Sequence, residues 1–237
     1  MMNKTAAWFY DEFKHCGVDY SDAAIADEYD RRHENFRDFQ AEAEQIIQVL
    51  GLGADDTVMD LACGTGGITE HLAKRVKTVY AVDISQAMLD RCRNKCEQAR
   101  LSNVRFCRGG FLTYEHTAEP VDAIISQVAL HHLPDMWKQV AMLRCFDMLN
   151  PGGALLLVDV VFSFAPREYM PAINTWVVDH VRQVGPEALT HIKEEFSTMD
   201  WIMQGILERA GFAIEQVQDR QSFIKVYVCR KPTHIEC

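Results

Sequence analysis

The sequence predicts an open, mostly parallel α/β sheet of seven strands, with a C-terminal antiparallel hairpin and a helical insertion late in the chain. Three observations predict this fold. Short apolar segments alternate with amphipathic ones, which is typical of a parallel sheet covered by helices on both faces. The first apolar segment runs into a glycine turn, VMDLACGTGG over 58–67. The last two are joined by a short polar turn, which is typical of a hairpin.

The elements follow in chain order from these patterns. Apolar residues at helical spacing from Phe36 to Leu50 predict a helix that Gly51 ends. Strands are then predicted at TVMDLA, TVYAVD, NVRFCRG, VDAIISQ and GGALLLVDVVF. The helices between them include one with Ser85 as its N-cap and one over 135–148.

The alternation stops after the fifth strand. The segment 163–196 is predicted to be helical and to form a lid above the cleft at the carboxyl ends of the strands, with the alternative that its aromatic residues only build the core. STMD over 197–200 resembles a capping box that opens a last helix. FAIEQVQDR and SFIKVYVCR predict the hairpin. The predicted organisation is an N-terminal helical cap (1–50), a core (51–162), the lid (163–196), and a last helix with the hairpin (197–237).

Length, charge and hydropathy exclude several classes of protein. The 237 residues carry a formal net charge of −10 without a long basic patch, so a nucleic-acid partner is not expected. The longest apolar run is interrupted by Asp159 and is too short to cross a bilayer. The N-terminus lacks an apolar run of signal-peptide length, and the eight cysteines follow no regular framework. We therefore expect a cytoplasmic monomer or homodimer with free thiols and no membrane partner.

The glycine turn and a carboxylate indicate a nucleotide-like cofactor. Gly64 and Gly66 follow the first strand, where ligands of open α/β sheets bind and where glycine lets the backbone approach them. Asp83 ends the second strand and can accept hydrogen bonds from both ribose hydroxyls, in NAD or in S-adenosylmethionine.

Three features distinguish the candidate cofactors. Thr69 stands where a dinucleotide turn needs its third glycine, and the Gly-Lys-Ser/Thr of a P-loop does not occur. Asp60 places a negative charge beside the turn. This charge repels phosphates and suits the ammonium group of a methionine moiety. The pattern favours a cationic cofactor without phosphates.

Four segments resemble the motifs of one family. VMDLACGTGG resembles motif I of the class I S-adenosylmethionine-dependent methyltransferases, and VYAVDISQAML resembles the motif at their second strand. VDAIISQVALHHLPD resembles the fourth-strand segment of small-molecule members, and LNPGGALLLVD resembles the turn before strand five. The resemblance covers roughly residues 25–230. It implies a Rossmann-like fold that binds S-adenosylmethionine and releases S-adenosylhomocysteine.

The resemblance also implies the cofactor-binding residues. In this sequence they are Tyr29, Asp60, Ala62, Gly64 and Gly66 at the methionine end, Asp83 at the ribose, Ile84 and Met88 beside the adenine, Gly110 and Phe111 after strand three, and Gln127 and Val128 under the sulfonium. Two positions depart from the family. Ala62 replaces its first glycine, and Gly110-Phe111 replaces a frequent acidic residue, so the adenine amino group must be held otherwise, by backbone or by stacking on Phe111.

The candidates for catalysis are His131, His132 and Asp159, with the alternative that the histidine pair only shapes its loop. A general base is needed only for an acceptor that is protonated at working pH. For an acceptor that is not protonated, alignment of the two reactants and exclusion of water are sufficient. No metal site is predicted, because Cys92 and Cys96 have the i, i+4 spacing of a buried helix face.

The predicted function is therefore transfer of a methyl group from S-adenosylmethionine to a small-molecule acceptor by in-line displacement. Two alternatives stay open. One is a NAD-dependent oxidoreductase, which Thr69 and the terminal hairpin disfavour. The other is a regulatory protein that binds S-adenosylmethionine without turnover. The sequence does not identify the acceptor.

Overall fold

The structure is a computed structural model that describes residues 6–14, 16–17, 37–185, 189–220 and 223–233. A central sheet carries helices on both faces. The strands are β1 (Thr57–Leu61), β2 (Thr78–Asp83), β3 (Val104–Arg108), β4 (Val121–Gln127), β5 (Leu149–Phe162), β6 (Thr198–Met199), β7 (Ala213–Arg220) and β8 (Ile224–Arg230). The helices are α1 (Phe39–Leu50), α2 (Gly67–Ala73), α3 (Gln86–Gln98), α4 (Asp135–Met148), α5 (Tyr169–Val184), α6 (Thr190–Lys193) and α7 (Asp200–Arg209).

The strand order is β3-β2-β1-β4-β5-β8-β7, and the two-residue β6 pairs with β5 beside this path. β1 lies parallel to both β2 and β4, so the order reverses there and a crevice opens at the carboxyl ends of these strands. β8 runs antiparallel to β5 and to β7. The predicted mostly parallel sheet with a terminal hairpin is confirmed, and β6 adds a short strand that was not predicted.

Alternate residues of β1 pack on opposite faces of the sheet, as the two-residue period of a strand requires. Met59 and Leu61 belong to the cluster that α4 and α7 complete. Val58 packs instead with α1 and α2. β5 is buried without interruption over 153–162, which is typical of a strand covered on both faces. The loops at the carboxyl ends of these strands therefore rest on a closely packed base.

Several predicted helix boundaries are confirmed. The Oγ of Ser85 accepts a hydrogen bond from the Met88 amide at 3.2 Å, so this serine caps α3. α4 has the predicted bounds, and α1 ends at Gly51, which has a φ of +69°. No helix in the described part of the chain is long and apolar enough to cross a membrane.

The predicted capping box at 197–200 is wrong. α7 begins at Asp200, and Met199 at its N-cap makes no side-chain capping bond. Thr198 and Met199 are instead extended, because they pair with the end of β5. The Thr198 hydroxyl donates to Asp135 at 3.0 Å, so it is not available to the first turn of the helix.

The insertion after β5 is helical, as predicted, over α5 and α6. Trp176 of α5 is buried, and its ring packs edge-on against Phe162 and Phe223 at centroid distances of 5.9 and 5.4 Å. These contacts hold the insertion against the end of β5. Of the predicted N-terminal cap, the structure describes α1 and the non-helical segments 6–14 and 16–17. Whether the insertion and the cap act as covers stays a prediction.

Candidate active site

A pocket of about 430 Å³ lies at the carboxyl ends of β1, β2 and β4. Most of the residues predicted to bind the cofactor line it, namely Ala62, Gly64, Asp83, Ile84, Met88, Gly110, Phe111, Gln127 and Val128. Asp60 and Gly66 lie outside its lining. Tyr29 lies outside the described residues. Of the three predicted catalytic residues, His132 lines the pocket, whereas His131 and Asp159 do not.

Gly64 and Gly66 are needed in the turn for different structural reasons. Gly64 has a φ of +54°, and a Cβ on it would meet no atom within 4 Å, so its surface faces open space. Gly66 has a φ of +80°, and a Cβ there would collide with Cys92, whose own Cβ would be 2.9 Å away. Gly64 therefore leaves room for a ligand, and Gly66 lets α2 and α3 approach each other.

Asp83 joins the turn to the second strand. Its Oδ2 accepts a hydrogen bond from the Gly64 amide, and its Oδ1 accepts one from the Ser85 amide, both at 2.8 Å. Burial raises the pKa of Asp83 to about 6, although these backbone hydrogen bonds oppose the shift. The carboxylate is thus fixed in orientation at the pocket wall, where it can bind hydroxyl donors or a positive charge.

Asp60 lies beneath the turn at the end of β1. Its Oδ2 accepts a 2.5 Å hydrogen bond from the hydroxyl of Thr69. This contact gives Thr69 a structural role at the position where a dinucleotide turn needs its third glycine. Burial raises the pKa of Asp60 to about 6; the Thr69 hydrogen bond opposes this shift and the nearby Asp83 carboxylate adds to it. Two buried acids therefore give the inner end of the pocket a negative potential at neutral pH.

Two non-glycine residues of the pocket wall have left-handed backbone. Ala62 has a φ of +65° and Val128 a φ of +51°. This conformation costs roughly 1–2 kcal/mol for an L-residue, more for a β-branched one. The Val128 amide donates to the Val158 carbonyl at 2.7 Å, which helps to hold the loop after β4 in this shape. Two of the three described non-glycine residues with positive φ thus line the pocket, and the third, Arg100, lies outside it.

Glu12 is a pocket residue that the sequence did not indicate. Its carboxylate is buried and accepts hydrogen bonds from the Leu112 amide at 3.1 Å and from the Thr113 hydroxyl at 2.5 Å. A Cβ on Gly110 would lie 2.6 Å from Glu12 Oε2. Glycine at position 110 therefore admits a carboxylate from the N-terminal segment to the place where the family often has an acid of its own. The absence of that acid is the sequence signal that a carboxylate from elsewhere in the chain could take its place.

The predicted catalytic residues His131 and Asp159 form a buried pair beside the pocket. His131 Nδ1 lies 2.5 Å from Asp159 Oδ1, and the His131 amide donates to Asp159 Oδ2 at 3.0 Å. Burial by itself would lower the pKa of His131, but the Asp159 carboxylate outweighs it and raises that pKa. The pKa of Asp159 is lowered: burial would raise it, and the charge and hydrogen bond of His131 outweigh this.

His132 differs from its neighbour in charge and position. It lines the pocket, and its Nδ1–H donates to the carbonyl of Cys16 at 3.1 Å. Burial, together with repulsion from His131, lowers the pKa of His132 to about 4. His132 is therefore neutral at pH 7, and the Cys16 contact assigns the proton to Nδ1.

Glu195, at the end of the insertion, completes this side of the site and was also not indicated by the sequence. Its Oε2 lies 3.4 Å from His131 Nε2 and also faces Nδ1 of His191. Gly17 has a φ of +76°, and a Cβ on it would overlap Oε1 of Glu195. Burial would raise the pKa of Glu195, but the hydrogen bond and charge of His191, with the charge of His131, lower it.

Comparison with known proteins agrees with this geometry. The family model for a methyltransferase domain matches residues 58–153. An uncharacterized methyltransferase of Geobacillus kaustophilus is 32% identical over 214 residues, which cover 88% of this chain and 94% of the relative.

Solved structures agree in the fold. An S-adenosylmethionine-dependent methyltransferase from Clostridium acetobutylicum has a TM-score of 0.68 at 15% identity, covering 88% of this chain and 98% of that one. Another from Aquifex aeolicus has a TM-score of 0.64 at 20% identity, covering 89% of this chain and 98% of that one.

Proposed function

This chain belongs to the class I S-adenosylmethionine-dependent methyltransferases, and we propose that it methylates a small-molecule acceptor in the pocket at the switch point of the sheet. The observation that carries this proposal is Asp83, held at the pocket wall by two backbone amides beside the open surface of Gly64. A carboxylate in this position suits a ribose, and an open glycine suits a ligand that lies against the backbone.

The charges of the pocket support S-adenosylmethionine as the cofactor. The molecule carries a sulfonium and an ammonium group, and both favour the negative potential of Asp60 and Asp83. A dinucleotide would bring a pyrophosphate close to the same two buried acids. The structure of the turn, with Thr69 bonded to Asp60, therefore opposes NAD on physical grounds.

Glu12 is proposed to accept the hydrogen bond of the adenine amino group. It lines the same pocket as Ile84 and Met88, which we propose to lie beside the adenine. A carboxylate has about four acceptor positions, so its bonds to Leu112 and Thr113 leave capacity for a ligand. This proposal replaces the two sequence-based alternatives, backbone contact and stacking on Phe111.

The acceptor is proposed to enter between Gln127, Val128 and His132. Cys16 and Phe13 of the N-terminal segment also line the pocket, so the space beside the cofactor suits a small molecule better than a polymer. In the reaction, a lone pair of the acceptor forms a bond to the methyl carbon while the carbon–sulfur bond breaks and its electrons return to sulfur. Neutral His132 is a candidate to take a proton from the acceptor, and the His131–Asp159 pair is proposed to keep that loop oriented.

Calorimetry with S-adenosylhomocysteine tests the cofactor assignment. We expect one site per chain, and we expect Asp83→Ala to weaken binding at least 100-fold, because it removes charge-assisted hydrogen bonds worth about 3 kcal/mol. Asp90→Ala on the exposed face of α3 is the matched control and should bind like the parent. Equal binding by Asp83→Ala would reject the assignment.

Turnover is tested with S-adenosylmethionine labelled at the methyl group and a panel of thiols, phenols, amines and metalloids. Label in any small-molecule product supports the proposal. Tight cofactor binding without a product across the panel would favour the regulatory alternative, and binding of NADH instead of S-adenosylhomocysteine would favour the oxidoreductase.

A further inference from the structure

The side chain of Gln127 has one polar atom that is held and one that is not. Gln127 ends β4 and lines the pocket. Its Oε1 accepts a 2.7 Å hydrogen bond from Nη2 of Arg37. Its Nε2 is buried and, within the described part of the chain, has no hydrogen-bond partner. Buried donors in native proteins are nearly always satisfied, so this amide nitrogen indicates a ligand that accepts a hydrogen bond.

Arg37 determines which way the amide of Gln127 is turned. A guanidinium group only donates hydrogen bonds, so the atom of Gln127 that faces it must be the carbonyl oxygen. Arg37 is itself fixed, because its Nε and Nη2 donate to the two carboxylate oxygens of Glu42 at 3.0 and 2.6 Å. Glu42 is buried on α1 and also pairs with Arg220 at 3.2 Å. The part of the Gln127 amide that is left for a ligand is therefore the donor.

We propose that Gln127 Nε2 donates a hydrogen bond to the atom that receives the methyl group, and that this atom is an oxygen. The proposal rests on the proposed function, in which the acceptor lies between Gln127, Val128 and His132, all of which line the pocket. It narrows the substrate class to acidic hydroxyl compounds that react as the oxyanion, such as phenols, enols and carboxylic acids.

The lone pairs of the reacting atom distinguish oxygen from nitrogen and sulfur. An oxyanion has several lone pairs, so it directs one at the methyl carbon and accepts the hydrogen bond of Gln127 with another. A neutral amine has a single lone pair, which must point at the methyl carbon in an in-line displacement. The N–H groups of the amine would then face the N–H groups of Gln127. A thiolate has enough lone pairs, but sulfur is a weak hydrogen-bond acceptor.

The same hydrogen bond favours deprotonation of the acceptor hydroxyl, because a donor stabilises the charged form of the oxygen more than the neutral form. The hydroxyl proton passes to His132, the candidate base of the proposed function, and then to water. The oxygen donates a lone pair to the methyl carbon, and the carbon–sulfur bond breaks with its electrons going to sulfur. The negative charge of the oxyanion and the positive charge of the sulfonium cancel in the products.

Binding of phenol and aniline to the full chain saturated with S-adenosylhomocysteine tests the donor directly. The two probes share a ring and differ in the group that would face Gln127. We expect the parent to bind phenol about tenfold more tightly than aniline in ligand-observed NMR, the value of one hydrogen bond. Gln127→Glu, whose carboxylate accepts and does not donate, should reverse the preference. Gln98→Glu, the same change at an exposed position of α3, is the matched control and should keep it.

Arg37 is tested as a positioning residue. Arg37→Ala lets the amide of Gln127 turn, so we expect the preference for phenol over aniline to disappear. Arg37→Lys keeps a donor beside Oε1 of Gln127 and should restore most of the preference. Arg220→Ala removes the other partner of Glu42 without removing the donor to Gln127, and it should bind both probes like the parent.

Turnover with methyl-labelled S-adenosylmethionine and an extract of small metabolites identifies the acceptor atom. Mass spectrometry assigns the label to an O-, N-, S- or C-methyl group. We expect O-methyl products, and we expect Gln127→Glu to form them at least tenfold more slowly, because it replaces the donor by a like charge.

Three results would overturn the proposal. The first is label in N-, S- or C-methyl groups, which would leave the proposed function intact. The second is equal binding of phenol and aniline by the parent, including no measurable binding of either. The third is weaker S-adenosylhomocysteine binding by Gln127→Leu, which would assign the donor to the cofactor. The absence of any labelled product despite S-adenosylhomocysteine binding would reject the proposed function, and this proposal with it.

Discussion

The two ends of the pocket are built in different ways. The end formed by Gly64, Asp83 and Met88 comes from one continuous stretch of chain, the β1–α2–β2–α3 unit. The end formed by His132 and its neighbours is assembled from segments that are distant in sequence: the N-terminal segment at Cys16, the loop after β4, Asp159 in β5, and Glu195 after α6. Local sequence therefore specifies most of the cofactor end, with Glu12 as the exception, whereas the acceptor end depends throughout on contacts between distant segments.

The difference also concerns charge. The cofactor end contains two buried acids whose pKa values burial raises. At the acceptor end, Asp159 and Glu195 face imidazoles, and their pKa values are lowered despite burial. The first end thus gains from a cationic ligand, whereas the second already has positively charged or polar partners among its own side chains. This contrast yields three predictions, from the largest expected effect to the smallest.

The largest effect is expected from Gly66→Ala. The new Cβ would collide with Cys92 and would sit at a positive φ, so we expect the free energy of unfolding to fall by about 2–4 kcal/mol. Gly64→Ala, where the Cβ meets open space, should cost only about 1–2 kcal/mol, from backbone strain alone. Denaturant unfolding measures both. Equal losses in the two variants would contradict the separate reasons given for the two glycines.

Cofactor affinity should decrease in acid. Since burial raises the pKa of Asp60 and of Asp83 to about 6, both carboxylates are mainly charged at pH 7 and mainly neutral at pH 5. Each should then weaken S-adenosylmethionine binding about tenfold between these pH values, because only the charged form attracts the cation. Calorimetry across this range measures the slope, and Asp83→Asn should flatten it. An affinity that is constant from pH 7 to pH 5 would show that these acids do not face the cofactor.

A smaller effect is expected from Glu12→Ala. Loss of one charged acceptor should weaken S-adenosylhomocysteine binding about tenfold, or about 1.4 kcal/mol. The analogue with inosine in place of adenosine, which has no amino group to donate, should bind the parent and the variant with similar affinity. Glu119→Ala, at an exposed position before β4, is the control. A uniform loss for both ligands would instead assign Glu12 a purely structural role.

Features that depend on neighbouring residues could be predicted from the sequence, and features that depend on distant segments could not. The alternation of apolar and amphipathic segments was sufficient to predict the strands of the sheet. Patterns of adjacent residues were sufficient to predict the Ser85 cap and the bounds of α4, because these features depend on neighbours in the chain. The capping box at 197–200 failed because a tertiary contact, the pairing of Thr198 and Met199 with β5, outweighed a local pattern.

The site shows the same limit. His131 and Asp159 were both named as candidates, but their contact depends on the parallel pairing of β4 with β5. Glu12 and Glu195 carry no local motif, and each becomes recognisable only when a glycine elsewhere, Gly110 or Gly17, makes room for it. Long-range packing, which residue patterns do not encode directly, therefore brought Glu12 into the pocket and Glu195 to the buried side of His131.

Glu12 and Cys16 are four positions apart in the chain, so a fully extended backbone between them would be about 14 Å long. The Glu12 carboxylate contacts the loop after β3, and the Cys16 carbonyl fixes the ring of His132. This short segment therefore contacts both the proposed adenine end and the proposed acceptor end of the pocket. Because one short segment makes both contacts, a change at Glu12 is expected to alter the hydrogen bond that fixes the proton on His132 Nδ1.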